Sequence, residues 1–125
     1  MITAVHTIVY TSDPDATRAF FRDVLEWPFV DAHGGWLIFG TGPSELGVHP
    51  TRTEHEGQVY ESPLHHEITL LCDDIEGTVA ALGAKGAEFT GPISDQGFGR
   101  TVTLKVPGAG DLMLYEPRHA LAYNL

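Results

Sequence analysis

The side chains of this chain that could do chemistry are mainly imidazoles and carboxylates, and two of them, His6 and Glu67, stand at matching places. His6 lies seven residues before Asp13, and Glu67 lies seven residues before Asp74. Both aspartates suit the start of a helix, because their carboxylates can accept from the unpaired N–H groups of the first turn. Imidazole and carboxylate groups can bind Fe, Ni, Co, Zn or Mn. The sequence therefore places one side chain that can bind a metal ion before each of two predicted helices.

Other arrangements of reactive residues carry less weight. Adjacent strand residues point to opposite faces of a sheet, so we expect His65 and His66 to share no ion. The glycine-rich run 40–43 lacks the lysine and the following helix of a phosphate-binding loop, and no catalytic triad is evident. Cys72 is the only cysteine, which excludes an intramolecular disulfide and a cysteine-rich zinc module. Three further histidines lie in predicted turns or loops, and we expect their side chains to be solvated: His33, His55 and His119.

The composition describes a chain of 125 residues and 13.6 kDa with a globular balance of 42% hydrophobic and 19% charged residues. Asp and Glu outnumber Lys and Arg by 17 to 7, which gives a formal net charge of −10. A surface of that sign repels phosphate backbones and anionic headgroups, so nucleic acids and membranes are not expected partners. The first residues show no basic segment and no long apolar run, so we expect neither a signal peptide nor a membrane span. These features predict a soluble, cytoplasmic domain.

The first half of the chain predicts a strand, a helix and three further strands. Residues 5–10 are rich in β-branched and aromatic side chains and predict the first strand. Asp13 and Pro14 then start a helix whose apolar face runs to Leu25. Short strands are predicted after it at 29–32, 36–39 and 46–49.

The same order returns after the polar segment 51–63, which has little periodicity and is expected to be a linker or an exposed loop. A strand at 67–72 leads into a helix that Asp74 starts and Gly86 ends. Within the loop predicted at 91–99, Phe98 stands between two glycines, which indicates a flap with an apolar tip over a cavity. Three further strands are predicted at 88–90, 100–106 and 112–116.

This repetition predicts an α+β fold built from two tandem βαβββ modules within a single domain over residues 1–125. Module one covers 4–50, the linker 51–63 and module two 64–119. Neither module can bury the helix-free face of its sheet alone, so the curved mixed sheets are expected to enclose a shared cavity. We expect that cavity to be the ligand pocket.

Several segments resemble one known family, the vicinal oxygen chelate superfamily of glyoxalase I, bleomycin-resistance proteins and extradiol dioxygenases. The resemblance runs from residue 5 to residue 119. The segments that carry it are 6–13 (HTIVYTSD), 19–25 (AFFRDVL), 67–74 (EITLLCDD), 82–89 (LGAKGAEF) and 110–117 (GDLMLYEP). The family supports many chemistries on one scaffold, so the resemblance predicts the fold more firmly than the reaction.

The resemblance implies a divalent metal held by the first and last strands of both modules in the metal-dependent members. By this comparison His6 and Glu67 occupy the two first-strand positions, and the metal would be Fe, Ni, Zn, Co or Mn. The last strands depart from the pattern, because Met113 stands where a metalloenzyme usually carries glutamate and Gly47 is its equivalent in module one. His49 is the third candidate ligand, since Gly47 offers no side chain and Met113 only a soft thioether.

Strand periodicity adds residues to the pocket side. With a period of two, His49 and Tyr115 face the same way as Gly47 and Met113, whereas Glu116 faces the opposite way. Aromatic side chains in such a pocket can stack on a ring. The predicted pocket residues are His6, Trp36, His49, Glu67, Phe98, Met113 and Tyr115.

Two functions stay open on the sequence alone. The first is a metal-dependent lyase, isomerase or dioxygenase of the glyoxalase type that acts on a small oxygenated molecule. The second is a metal-free protein of the bleomycin-resistance type that sequesters a small molecule in the same cavity. The pair His6 and Glu67 favours the first, and the missing last-strand carboxylates favour the second. The apolar tail at 120–125 and the family's habit of pairing predict a homodimer.

Overall fold

The computed structural model describes residues 7–45, 47, 49–63 and 66–121. The candidate ligand His6 and most of the apolar tail, residues 122–125, lie outside the described residues. No described helix is long and apolar enough to cross a membrane. The elements in chain order are α1 (Pro14–Ala19) with a following π-helical turn (Phe20–Val24), β1 (Phe29–Asp31), β2 (Leu37–Phe39), β3 (Arg52–His55), β4 (Gln58–Glu61), β5 (Thr69–Leu71), α2 (Ile75–Ala84), β6 (Phe89–Asp95), β7 (Gly99–Leu104) and β8 (Leu112–Pro117).

Helix α1 begins where the sequence predicts. The Asp13 carboxylate accepts from the Ala16 N–H at 3.2 Å, and Pro14 takes the first helical position, where no N–H is needed. From Phe20 the helix widens into a π-helical turn, which the sequence pattern does not predict. Phe20 and Phe21 are both buried in that turn and join the main core.

Strands β1 and β2 lie where two short strands are predicted, and they form an antiparallel hairpin. Phe29 pairs with Phe39, and the turn between the strands uses Gly34 and Gly35 at φ 54° and 91°. These positive angles suit glycine, which has no Cβ to clash. The Asp31 carboxylate accepts from the Gly35 N–H at 3.0 Å and fixes the turn.

Two other strands predicted for the first half do not form in the described residues. Residues 7–10 lie in no strand, and Thr11 makes only an isolated bridge with Ala109. The main-chain groups that follow pair with a loop instead, because the Ser12 N–H donates to the Gly108 carbonyl at 2.7 Å. Of the strand predicted at 46–49, residues 47 and 49 lie in no strand, and the other two fall outside the described residues.

The segment predicted to be an irregular linker or loop forms an exposed antiparallel hairpin. Strand β3 pairs with β4, from Arg52 opposite Glu61 to His55 opposite Gln58. The turn residues Glu56 and Gly57 both have positive φ, 51° and 77°, which is the pattern of a two-residue hairpin turn. The prediction of irregular structure is wrong here, because polar strands exposed on both faces lack the apolar alternation that marks a strand.

The second half forms a four-stranded sheet in the order β5-β8-β7-β6. Strand β5 runs parallel to β8, and the other neighbours are antiparallel. The Asp74 carboxylate accepts from the Gly77 N–H at 3.2 Å to start α2, and Gly86 follows the helix at φ 93°. The predicted order of strand, helix and three strands is confirmed for this half, and the chain as a whole is α+β with no closed barrel in the described residues.

Strand β6 is longer than predicted and absorbs half of the expected flap. It runs to Asp95, with a register shift between Thr90 and Ser94 where Gly91 and Pro92 lie. A bulge tolerates both residues, since proline cannot donate to the ladder and glycine bends readily. The loop is therefore only the turn 96–98 between β6 and β7.

One face of this sheet is covered by α2. Val102 of β7 pairs with Leu114 of β8, and both pack against Ile75 of α2, whose side chain is fully buried. The next pair along the same face, Leu104 and Leu112, packs in the cluster of the π-helical turn. The helix of the first half thus shares its core with the sheet of the second half, and the opposite sheet face carries the other side chains of β5, β7 and β8.

A close backbone contact at Gly108 joins the first half of the chain to the second. The Thr11 hydroxyl donates to the Gly108 carbonyl at 2.7 Å, and the Thr17 hydroxyl donates to the Pro107 carbonyl at 2.6 Å. A Cβ at Gly108 would stand 2.7 Å from the Cβ of Asp13, and Gly108 has φ 77°. Glycine is therefore needed at this crossing for both space and backbone angle.

Candidate functional site

An open cleft of about 390 Å³ lies on the sheet face that points away from α2. Its floor is a row of cross-strand neighbours, in which Met113 pairs with Thr69 on one side and with Thr103 on the other. The rest of the lining consists of Val9, His66, Glu67, Ile68, Gly110, Asp111 and Leu112.

The side chains of this cleft suit a ligand that is partly polar and partly apolar. Threonine hydroxyls at positions 69 and 103 can each donate and accept a hydrogen bond. Between them, the Met113 side chain is 37% exposed and presents a polarizable thioether, which adapts to irregular apolar surfaces. Glu67 and Asp111 add carboxylates at the end of the cleft where β5 begins.

An aromatic cluster continues the same sheet face beyond Met113. Tyr115 follows two residues along β8, so it lies on the same face, about 7 Å further on. Its ring meets the ring of Phe98 edge to face, with centroids 5.7 Å apart, and the ring of His119 at 6.0 Å. The His119 Nε2 lies 3.5 Å from Oε1 of Glu45.

Electrostatics at this aromatic cluster are set by partial burial and by Glu45. Burial raises the pKa of the Tyr115 phenol, and the nearby Glu45 carboxylate raises it further. The phenol therefore keeps its proton at neutral pH, and its hydroxyl donates to the Phe98 carbonyl at 3.4 Å. Tyr115 acts here as a neutral donor and a ring surface rather than as an anion.

Arg118 fixes the turn that carries Phe98. Its guanidinium binds both carboxylate oxygens of Asp95 and donates to the Gly97 carbonyl at 2.8 Å. Its main-chain N–H also donates to the Phe98 carbonyl at 3.1 Å. The Arg118 hydrogen bonds, and then the Gly97 N–H, which donates to Asp95 at 2.9 Å, hold the pKa of the Asp95 carboxyl at about 2, so the ion pair persists through the physiological range.

Glu116 lies on the opposite sheet face, as strand periodicity predicts. Its carboxylate accepts from the Ile75 N–H at 3.1 Å and from Nε of Arg100 at 2.9 Å. The Arg100 hydrogen bond and then the Ile75 N–H lower the pKa of the Glu116 carboxyl. Glu116 therefore serves the start of α2 and not the cleft.

Cys72 also belongs to the helix side of the sheet. It packs against the cluster of Ile75, and its thiol lies 3.7 Å from the Tyr115 carbonyl. Burial raises the pKa of the Cys72 thiol, which keeps it protonated and unreactive. Cys72 therefore packs as a small apolar residue beside the helix.

The structure brings some of the sequence-predicted site residues together and separates others. Glu67 and Met113 line one cleft, and Phe98 and Tyr115 contact each other further along the same face. Trp36 lies in the first hairpin, 63% exposed, with the Arg18 guanidinium 4.6 Å above its ring. His49 is exposed and does not line the cleft, and His6 lies outside the described residues.

The donor set of the cleft does not assemble a metal centre from the described residues. Among those residues, no group of three His, Cys, Asp or Glu side chains is placed to hold an ion. The central position of the floor is Met113, whose thioether is a poor ligand for Mn, Fe or Zn.

Four residues on or beside this sheet face are not predicted from the sequence as site residues. Thr69 and Thr103 are ordinary strand residues, and nothing in their spacing distinguishes them from other threonines. Glu45 comes from a loop in no predicted motif. His119 is exposed, as expected, and its ring also contacts Tyr115 and Glu45. The C-terminal position of His119, just beyond β8, was the one available signal that it could reach Tyr115.

A protein-family model described as the Glyoxalase/Bleomycin resistance protein/Dioxygenase superfamily matches residues 3–119 of the chain. A search of curated proteins finds no significant match.

Solved structures of three kinds share the fold. An antibiotic binding protein, TnmS3 from a Streptomyces species, has a TM-score of 0.58 and 20% identity, covering 93% of this chain and 97% of that one. The fosfomycin resistance protein FosX from Listeria monocytogenes has a TM-score of 0.56 and 14% identity, covering 100% and 98%. A lactoylglutathione lyase from Agrobacterium tumefaciens has a TM-score of 0.54 and 17% identity, covering 92% and 94%. One FosX structure contains Mn(II) and 1S,2S-dihydroxypropylphosphonic acid. At these identities the likeness establishes the fold.

Proposed function

The chain belongs to the Glyoxalase/Bleomycin resistance protein/Dioxygenase superfamily, and we propose that it binds a small, partly polar molecule in the cleft above Met113 without the help of a metal. The observation that carries this proposal is the floor itself. A soft thioether is flanked by the hydroxyls of Thr69 and Thr103, at the position where the family resemblance implies a carboxylate in metal-dependent members. Such a floor offers hydrogen bonds and apolar contact rather than a hard-metal ligand.

The chemical roles follow from the side chains that line the cleft. Thr69 and Thr103 orient the polar part of the molecule, and Met113 packs against its apolar part. The carboxylates of Glu67 and Asp111 favour a ligand that presents hydrogen-bond donors or positive charge at that end. The fold likeness to an antibiotic binding protein supports the idea that this scaffold can hold such a molecule.

Calorimetry on a matched pair of variants tests the proposal. Molecules are first selected from a library of small oxygenated compounds by their stabilisation of the protein. Thr103→Val keeps the shape of the floor but removes one hydroxyl, so we expect it to weaken binding roughly 5- to 10-fold, the worth of one hydrogen bond. Thr53→Val, in the exposed strand β3, is the control and should leave affinity unchanged. A library with no binder, or equal losses in both variants, would overturn the proposal.

The second candidate is a metal-dependent lyase, isomerase or dioxygenase of the glyoxalase type, with His6, Glu67 and His49 as ligands of Fe, Ni, Zn, Co or Mn. The specific observation in its favour is that Glu67 lines the cleft. Calorimetry with Ni, Zn, Mn and Fe(II) separates the two candidates. Binding much tighter than roughly millimolar, a free energy of about −4 kcal/mol, that His6→Ala abolishes would support the enzyme. Weaker binding would leave the metal-free protein, and tight binding that survives His6→Ala would contradict His6 as a ligand.

We propose that the fold comprises two modules, residues 4–50 and 64–119, joined by 51–63 around a shared cavity. The support is the pair of helix starts at an offset of 61, where Asp13 and Asp74 each accept at 3.2 Å from the N–H three residues on. Superposition of an experimental structure of the first half on the second would test this arrangement.

We also propose a homodimer. The first hairpin exposes Phe29, Val30 and Ile38, and the second exposes Val59 and Tyr60. Exposed apolar strands of this kind favour burial against a second copy. Light scattering at micromolar concentration should return about twice 13.6 kDa, and a value near 13.6 kDa would reject the dimer.

A further inference from the structure

We propose that the bound molecule carries a flat, positively charged ring, and that Phe98, Tyr115 and Glu45 hold this ring at the far end of the cleft. The inference rests on the proposed binding function and names the chemical class of its ligand. The juxtaposition that carries it is the exposed ring of Phe98 on the partly buried ring of Tyr115, which shares a sheet face with Met113, beside the mostly buried carboxylate of Glu45.

The aromatic surface is both continuous with the cleft and open to a ligand. Tyr115 stands two residues after Met113 on β8, so a molecule above Met113 needs only about 7 Å to reach the phenol ring. Phe98 meets that ring at an interplanar angle of 70° and is itself 57% exposed. The edge-to-face pair thus leaves much of the Phe98 ring face available for stacking.

The turn that carries Phe98 is held in place, so this surface is organised before a ligand arrives. Arg118 joins the turn to the end of β8 through Asp95 and through the carbonyls of Gly97 and Phe98. Binding of a ligand then costs little further conformational entropy in this turn.

The negative charge at this end of the sheet face favours a positively charged ring. The Glu45 side chain is only 18% exposed, and a carboxylate withdrawn from water attracts a nearby cation more strongly than a solvated one. The aromatic faces add attraction for positive charge. The Glu45 carboxylate already lies 3.5 Å from the His119 Nε2, so this end of the face accommodates a flat nitrogen heterocycle beside a carboxylate. With a net charge of −10 over the whole chain, an anionic ring would be repelled.

Two probes of equal size test the inference. N-methylquinolinium is a flat cation, and 4-methylquinoline at pH 8 is an uncharged ring with the same number of heavy atoms. Calorimetry at low salt should show the cation binding roughly tenfold more tightly to the unaltered protein, within the range that cation–π and ion-pair attraction supply. Glu45→Gln should remove most of that preference, whereas Glu54→Gln in the exposed hairpin, which makes the same change of charge, should keep it. Phe98→Ala provides a second variant that leaves Glu45 untouched and should weaken both probes.

The outcomes separate this inference from the function on which it rests. Equal affinity for the two probes, a preference that survives Glu45→Gln, or no binding of either probe would overturn the cationic ring. Binding of library compounds that Thr103→Val weakens would then still support the cleft as the ligand site. A preference lost in Glu54→Gln as well would mean that only the overall charge acts, and this too would overturn the inference.

Discussion

The carboxylate of Glu116, near the end of the last strand, accepts a hydrogen bond from the main-chain N–H of Ile75, the first residue of α2, at 3.1 Å. The acceptor lies 41 positions away in sequence from the helix start that it satisfies. It also binds Arg100, which reaches Glu76 in the first turn of the same helix. Strand β8 thus joins the helix through one face and carries Met113 and Tyr115 on the other.

Glu116→Gln should lower stability in a pH-dependent way. The Arg100 hydrogen bond and the Ile75 N–H lower the pKa of Glu116 below its unfolded value of 4.5, so the ionised carboxylate stabilises the folded state at neutral pH. That contribution is lost as pH falls through the folded pKa. Urea unfolding should therefore show a destabilised variant at pH 7 and a shrinking difference as pH falls below about 4.5. A difference independent of pH would show that the charge of Glu116 does not matter.

Arg118→Gln should release the Asp95 carboxyl from its ion pair. The pKa of Asp95 is held at about 2 by the Arg118 hydrogen bonds first and by the Gly97 N–H second. Carbon-detected NMR titration should find that value in the unaltered protein and a return toward 3.8 in the variant. Amide hydrogen exchange at residues 96–98 should quicken in the variant, since the turn loses its clamp. An unchanged pKa would mean that the Gly97 N–H alone sets it.

Gly108→Ala should destabilise the protein by about 2–4 kcal/mol, from a positive φ and a crowded crossing together. An added Cβ would meet Asp13 at 2.7 Å and the Thr11 hydroxyl oxygen at 2.9 Å. Gly110→Ala is the matched control, because its Cβ would meet nothing within 4 Å, and it should change stability by less than about 0.5 kcal/mol. Equal effects on the free energy of unfolding would contradict the tight contact between the two halves.

Local signals account for what the sequence predicts correctly. The starts of α1 and α2 follow from Asp13 and Asp74, because a cap involves atoms only three residues apart. The placement of Glu116 on the sheet face opposite Met113 and Tyr115 follows from strand period alone. Pairing between distant segments is harder to predict from sequence than a helix cap. The exposed hairpin β3–β4 and the absence of a strand at residues 7–10 are both missed because they depend on such pairing.

The residues of the candidate site likewise differ in how far strand periodicity describes their positions. Glu67 and Met113 line one cleft of the structure, and the shared ligand pocket that the repeat and the family resemblance imply stays a prediction. The contacts of Glu45 and His119 with the aromatic end depend on loops whose paths no periodicity describes. The roles of these residues in binding remain the proposals above.

The central claim is that a small molecule binds above Met113, and the chain offers a direct reporter because it contains only two methionines, Met1 and Met113. Labelling the methionine methyl groups with carbon-13 gives one signal from the floor of the cleft and one from a residue that serves as internal control. Saturation with a compound from the library should shift the Met113 methyl and give nuclear Overhauser contacts from it to the ligand, with the Met1 signal unchanged. A tightly bound compound that leaves the Met113 methyl unshifted, with no such contacts, would contradict the account.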